Sequence, residues 1–78
     1  MNKKANLFSK LPKVDEVIFN IEKETNLFQK VPRAIIVEAI REEIDNMRKE
    51  IATNSINLEE LNDRIKELSN IVARKSEN

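Results

Sequence analysis

The chain has 78 residues, 36% charged and 40% hydrophobic, with no glycine, cysteine or histidine. That length supports one small domain, which buries only ~60% of its unfolded surface and leaves little room for an enclosed active site. The missing residue types exclude disulfides, zinc sites of the usual ligands, thiol nucleophiles, the commonest general base and glycine loops that cradle phosphate.

Charge is balanced overall, 14 Lys and Arg against 14 Asp and Glu, but unevenly placed. Lys3, Lys4, Lys10 and Lys13 give the first fourteen residues a local +4, and the remainder sums to −4 with no block of like charge. Residues 1–12 read as a basic arm, able to engage phosphate or simply to be solvated. Leu7, Phe8, Leu11, Val14, Val17, Ile18 and Ile21 form a helical set around Pro12, which fits near a helix start and not within one. A short helix is expected over Val14–Ile21 and a further helical turn over 23–30. These short helices, spanning 13–31, would cover the apolar face of the second half of the chain, with Phe8, Phe19 and Phe28 as the bulky contacts.

Pro32 suits the first turn of a helix. From there Ile36, Ile40, Ile44, Met47 and Ile51 recur at helical spacing, widened by Val37, which predicts a helix over about 33–53 some ~30 Å long. Asn54-Ser55-Ile56-Asn57 breaks the pattern. Asn57 is a good N-cap, Glu60 completes a capping box, and Ile56 and Leu61 stand where a hydrophobic staple would be. Leu58, Leu61, Ile65, Leu68, Ile71 and Val72 then predict a second helix over about 57–75. Two amphipathic helices joined by a short polar turn form an antiparallel hairpin. The expected fold is a single all-α domain over 1–78, a hairpin within 32–76 capped by one or two short N-terminal helices.

Chemistry is sparse on this frame. Asp15/Glu16, Glu42/Glu43 and Glu59/Glu60 are paired carboxylates, but acid–base work needs one of a pair desolvated, and all read as exposed. The serines have no histidine to activate them, and no lysine falls on a predicted core face. Glu38, Glu42 and Asp45 lack the further ligands of a hard-cation site, so neither metal nor catalysis is expected of this chain alone. The longest apolar run, Ala34–Val37, is far short of the ~20 residues of a membrane span, and no secretory h-region follows the N-terminal lysines. The cytoplasm is the simplest compartment.

The basic residues offer more. Arg41 and Arg48 lie seven apart, nearly in register on one face of the long helix, with Asp45 between them as an ion-pair partner for Arg41. With Arg33 and the lysine-rich arm they could form a phosphate-facing ridge. The candidate nucleic-acid contacts are therefore Lys3, Lys4, Lys10, Lys13, Arg33, Arg41 and Arg48. Without Trp or Tyr there is no obvious stacking platform, so a duplex or tRNA arm suits this ridge better than a single strand.

Two stretches resemble a known family. Leu7-Phe8-Ser9-Lys10-Leu11-Pro12-Lys13-Val14-Asp15-Glu16-Val17-Ile18 is similar to the opening of bacterial selenocysteine synthases, the L-seryl-tRNA(Sec) selenium transferases. Val37-Glu38-Ala39-Ile40-Arg41-Glu42-Glu43-Ile44-Asp45-Asn46-Met47-Arg48-Lys49-Glu50-Ile51 resembles that family's next signature, with Arg41, Asp45 and Arg48 at matching positions. Many members carry a glycine-containing turn where this chain has Gln29-Lys30-Val31-Pro32. The resemblance implies the N-terminal domain of a longer enzyme that converts seryl-tRNA(Sec) to selenocysteyl-tRNA(Sec). Its pyridoxal-phosphate catalytic domain would lie beyond this fragment, so no cofactor is expected here. The implied partners are tRNA(Sec), through its D-arm, and that catalytic domain. A helical protein–protein module, pairing through the Leu58–Val72 stripe, is the alternative.

Overall fold

Six helices and, among the described residues, no strand make up the fold, which the computed structural model describes over residues 3–77, with side chains from Ala5 onward. Three short helices come first: α1 (Lys3–Lys10), α2 (Val14–Glu24) and α3 (Leu27–Lys30). The basic stretch at the N-terminus is thus helical from Lys3 to Lys10. Pro12 lies two residues ahead of α2, where it costs no helical hydrogen bond. Thr25 closes α2 by donating its hydroxyl to the Ile21 carbonyl at 2.8 Å, and the Leu27 N–H that starts α3 donates to the Thr25 oxygen. Next, Val31 and Pro32 are extended, at φ −127° and −55°. No left-handed residue is needed there, so the turn works without glycine.

The longest helix, α4 (Arg33–Ala52), buries Ile36, Ile40, Ile44, Met47 and Ile51, the stripe expected from their spacing. Its end uses the one positive-φ residue among those described, Asn54 at φ 58°. The Asn54 N–H donates to the Ile51 carbonyl and the Ser55 N–H to that of Glu50, a Schellman closure in which asparagine takes the place usually given to glycine. Asn57 then caps α5 (Leu58–Lys66): its side chain accepts from the Glu60 N–H at 2.8 Å, and Glu60 accepts from the Asn57 N–H in return. Ile56 and Leu61 are both buried, completing the staple.

The returning arm is two helices rather than one. It is interrupted by a turn at Glu67, beyond which lies α6 (Leu68–Glu77). Helical bonding resumes at once, the Ile71 N–H donating to the Glu67 carbonyl at 2.9 Å. Beyond the turn, α6 packs against both α4 and α2. Val17 and Ile21 of α2 and Leu27 of α3 close the core over α4 and α6. The molecule is a rod of 44 × 21 × 17 Å.

Three apolar expectations fail. Phe19 is 63% exposed, Phe8 sits at the surface, and Leu58 points outward from the first turn of α5. Val17 and Ile21 already occupy the core-facing side of α2, and Phe19 falls about 160° from Ile21 at 100° per residue. Leu61, three residues beyond Leu58, takes the core position instead. Of the aromatics, Phe28 alone is partly buried against the core.

Glu43 corrects the exposed reading of the paired carboxylates. It is only 7% exposed, on the same side of α4 as Ile40 and Met47. Arg64 donates to its Oε1 at 3.0 Å and Lys75 to its Oε2 at 3.0 Å, and each cation reaches a second acid, Glu50 and Glu42 respectively. Burial alone pushes the Glu43 carboxyl up, but the hydrogen bonds and charges of Lys75 and Arg64 outweigh it and hold the group below the ordinary carboxylate value. Hydrogen bonds to Glu42 and Glu43 hold the Lys75 ammonium above its ordinary value. Lys75 is therefore a firmly charged clamp and not a nucleophile.

Glu43→Gln should cost about 1–3 kcal/mol in urea unfolding at neutral pH, since two partly buried cations lose a shared partner. Because the folded carboxyl titrates below its unfolded value, its contribution is full above the unfolded pKa and lost as pH falls through the folded one. The acid limb of the wild-type stability profile should accordingly be steeper than that of Glu43→Gln. Asn57→Ala should cost about 1 kcal/mol, measured the same way.

Candidate nucleic-acid interface

The clamp leaves the opposite charges of α4 on another face. A shallow, open groove runs along α4, bounded by Val14 at the start of α2. Ala34, Val37 and Ile44 supply its apolar surface, and Arg33, Arg41 and Arg48 line it together. At 1.5 Å per residue Arg41 and Arg48 stand about 10 Å apart along the axis and nearly in register, while Arg33 is turned about 80° from Arg41.

Arg33 is the tethered one. Its guanidinium lies 5.4 Å from the centre of the Phe28 ring and 3.3 Å from Glu22 Oε1, which fixes it over the α2–α3 junction. Arg41 and Arg48 are exposed and, among the described residues, pair with no carboxylate. The expected Arg41–Asp45 pair is absent: Asp45 instead binds Lys49 at 3.2 Å. Glu42 is held by Lys75. Of the three acids lining the groove, Glu38 alone keeps its charge uncompensated by an ion pair among the described residues.

A second hollow joins the first. It shares Val14, Ile44 and Arg48 with the groove and adds Phe8, Leu11, Pro12 and Lys13 from the α1–α2 junction. Lys13 is thereby brought beside Arg48, two expected contact residues far apart in sequence. Lys10 is exposed at the end of α1 and lines neither hollow. The side chains of Lys3 and Lys4 lie outside the described residues.

The amino end of α4 also opens toward this face. Its N-cap is Pro32, with no side-chain cap and no acid in the first turn, so positive helix-end potential adds to that of Arg33. The Leu58–Val72 stripe, by contrast, is mostly taken up inside the hairpin: Leu61, Leu68 and Val72 are buried, Ile65 and Ile71 are partly buried, and Leu58 stays at the surface. The groove's apolar surface and the unpaired state of Glu38 were not read from the sequence. Nor was the clamp, although Glu43 and Glu50, seven apart on α4, fall within about 20° of one another, as Arg64 and Lys75, eleven apart, would on the single second helix expected from the sequence.

Among the described residues, no helix is long and apolar enough to cross a membrane, and no group of three or more acids stands together as a metal site would require. The family described as selenocysteine synthase N terminal matches residues 8–48. The L-seryl-tRNA(Sec) selenium transferase of Alkaliphilus metalliredigens (strain QYMF) is 42% identical over 50 residues, 64% of this chain and 10% of that protein. The chain thus spans about a tenth of the length of this curated relative. No solved structure matches. The matched segment, 8–48, contains both the Phe8–Lys13 hollow and the Arg33–Arg48 groove.

Removing Glu38 raises the net positive charge of the groove without touching the core. Glu38→Gln should leave stability within about 0.5 kcal/mol, by thermal unfolding, because the side chain is exposed and makes no ion pair among the described residues.

Proposed function

The chain belongs to the selenocysteine synthase N-terminal family, and from that membership and the charge of its groove we propose that it recognises tRNA(Sec) through the D-arm. The observation that carries this reading is the alignment of Arg41 and Arg48, both unpaired, along one groove with Lys13 at its end. Exposed cations without carboxylate partners are free to neutralise phosphate and release its counterions. Their spacing along a rigid helix positions the backbone of a stem, while an A-form groove offers 2′-hydroxyls within reach. Arg33, stacked on Phe28, serves as a pre-positioned cation at the far end.

The proposed role is recognition, with selenium transfer and the pyridoxal phosphate implied by the family assigned to the catalytic domain. A Schiff-base lysine must be able to lose its proton, whereas Lys75, half-buried in the clamp, is held charged by two carboxylates. The chain has no glycine with which to build a close-fitting phosphate loop. The proposed protein partner is the catalytic domain of the selenium transferase, and the cytoplasm, where tRNA is charged, is the proposed compartment.

Fluorescence anisotropy with labelled tRNA(Sec), against an elongator tRNA, tests this. The expected result is tighter binding of tRNA(Sec), weakening steeply with salt. Arg41→Gln with Arg48→Gln should reduce the slope of log K against log salt by about 2, and Glu38→Gln should raise affinity for both RNAs. Equal affinity for the two tRNAs, or a salt slope indifferent to the arginines, would overturn the reading.

A further inference from the structure

The hollow between α1, α2 and α4 has a composition that phosphate binding does not explain. Its surface comes from Phe8, Leu11, Pro12, Val14 and Ile44, while Lys13 and Arg48 are its only charged residues. Phe8 is exposed at 36%, a large aromatic left at the surface by a chain that has only three. Neither Lys13 nor Arg48 pairs with an acid among the described residues, and none of the hollow's lining residues is acidic. A purely electrostatic ridge would need no such apolar floor.

We propose that this hollow receives one unpaired nucleobase of the bound RNA, stacked on Phe8 against the Pro12 side, with the phosphates flanking that base held by Lys13 and Arg48. The inference rests on the RNA-recognition reading and extends it from stem to loop. A base is flat and apolar on its faces and carries an anion on either side, which matches an aromatic floor beside two free cations. A second protein copy fits less well, because burying Lys13 and Arg48 without acids opposite them is costly. The hollow is continuous with the Arg33–Arg48 groove through Val14, Ile44 and Arg48, so a stem lying on α4 would deliver its loop to Phe8. Stem and loop would then be read by different physics, charge along α4 and stacking at its end.

The test uses the whole chain and two RNA hairpins with the same stem, one closed by an unpaired nucleotide loop and the other by a polyether linker. Wild type should bind the looped hairpin roughly tenfold more tightly, the worth of one base stacked on an aromatic. Phe8→Leu keeps an apolar side chain at this surface position but lacks the ring face. It should bind both hairpins equally, with its salt slope unchanged and its helical circular dichroism intact. If wild type binds both hairpins alike, or Phe8→Leu keeps the preference, the base site is refuted while the electrostatic ridge stands. If neither hairpin binds at low salt, both fall. Concentration-dependent self-association that Phe8→Leu abolishes would assign the hollow to a second copy and overturn the proposal.

Discussion

A buried carboxylate governs the arrangement of this small domain. Glu43 is carried to the hairpin interface by the same face of α4 that carries Ile40 and Met47, and it cannot stay charged there without partners. Arg64 and Lys75 supply them from two different helices of the returning arm, and Glu50 and Glu42 complete the network on the α4 side. Apolar stripes alone tolerate sliding by a turn. A carboxylate that must meet two cations fixes the register of α4 against α5 and α6, a specificity role that buried ion pairs can fill even where their net stabilisation is small.

That register divides the cations of the domain into two populations. Arg64, Lys75 and Lys49 are engaged with acids, and Arg33 is held by Glu22 and Phe28. Among the cations with no acid partner within the described residues, Arg41, Arg48 and Lys13 share one surface. A neutral protein can therefore present a local positive ridge, because two of the three acids lining the groove, Glu42 and Asp45, are paired with Lys75 and Lys49. Exposed ion pairs contribute only tenths of a kcal/mol each, so their effect on folding is minor, while their effect on which charges face an anion is large.

Much of the fold was legible in the sequence. Spacing located α4 and its core stripe, and Asn57 with Glu60 announced the second arm of the hairpin through chemistry local to four residues. The features that escaped depend on partners distant in the chain. Glu43 looked solvated because its rescue by Arg64 and Lys75 is tertiary, and Asp45 chose Lys49 over Arg41 among equally spaced neighbours. The helix break at Glu67 has no proline or glycine to signal it, and α6 beyond it has α2 as a second neighbour. For the site, periodicity aligned Arg41 with Arg48, but only the fold could bring Lys13 beside Arg48 and set Phe8 in the same hollow. The family resemblance was readable in the segment that forms this surface, and the match over residues 8–48 covers it.

The central claim is that the free-cation face of α4, and not the clamped face, meets RNA. An amide-resolved NMR titration of the labelled chain with tRNA(Sec) tests it most directly. Shifts should concentrate at Lys13, Val14, Arg41 and Arg48 and fade as salt is added, with the amides of Glu43, Arg64 and Lys75 unmoved. Shifts centred on α5 and α6, or spread evenly over the chain, would contradict it.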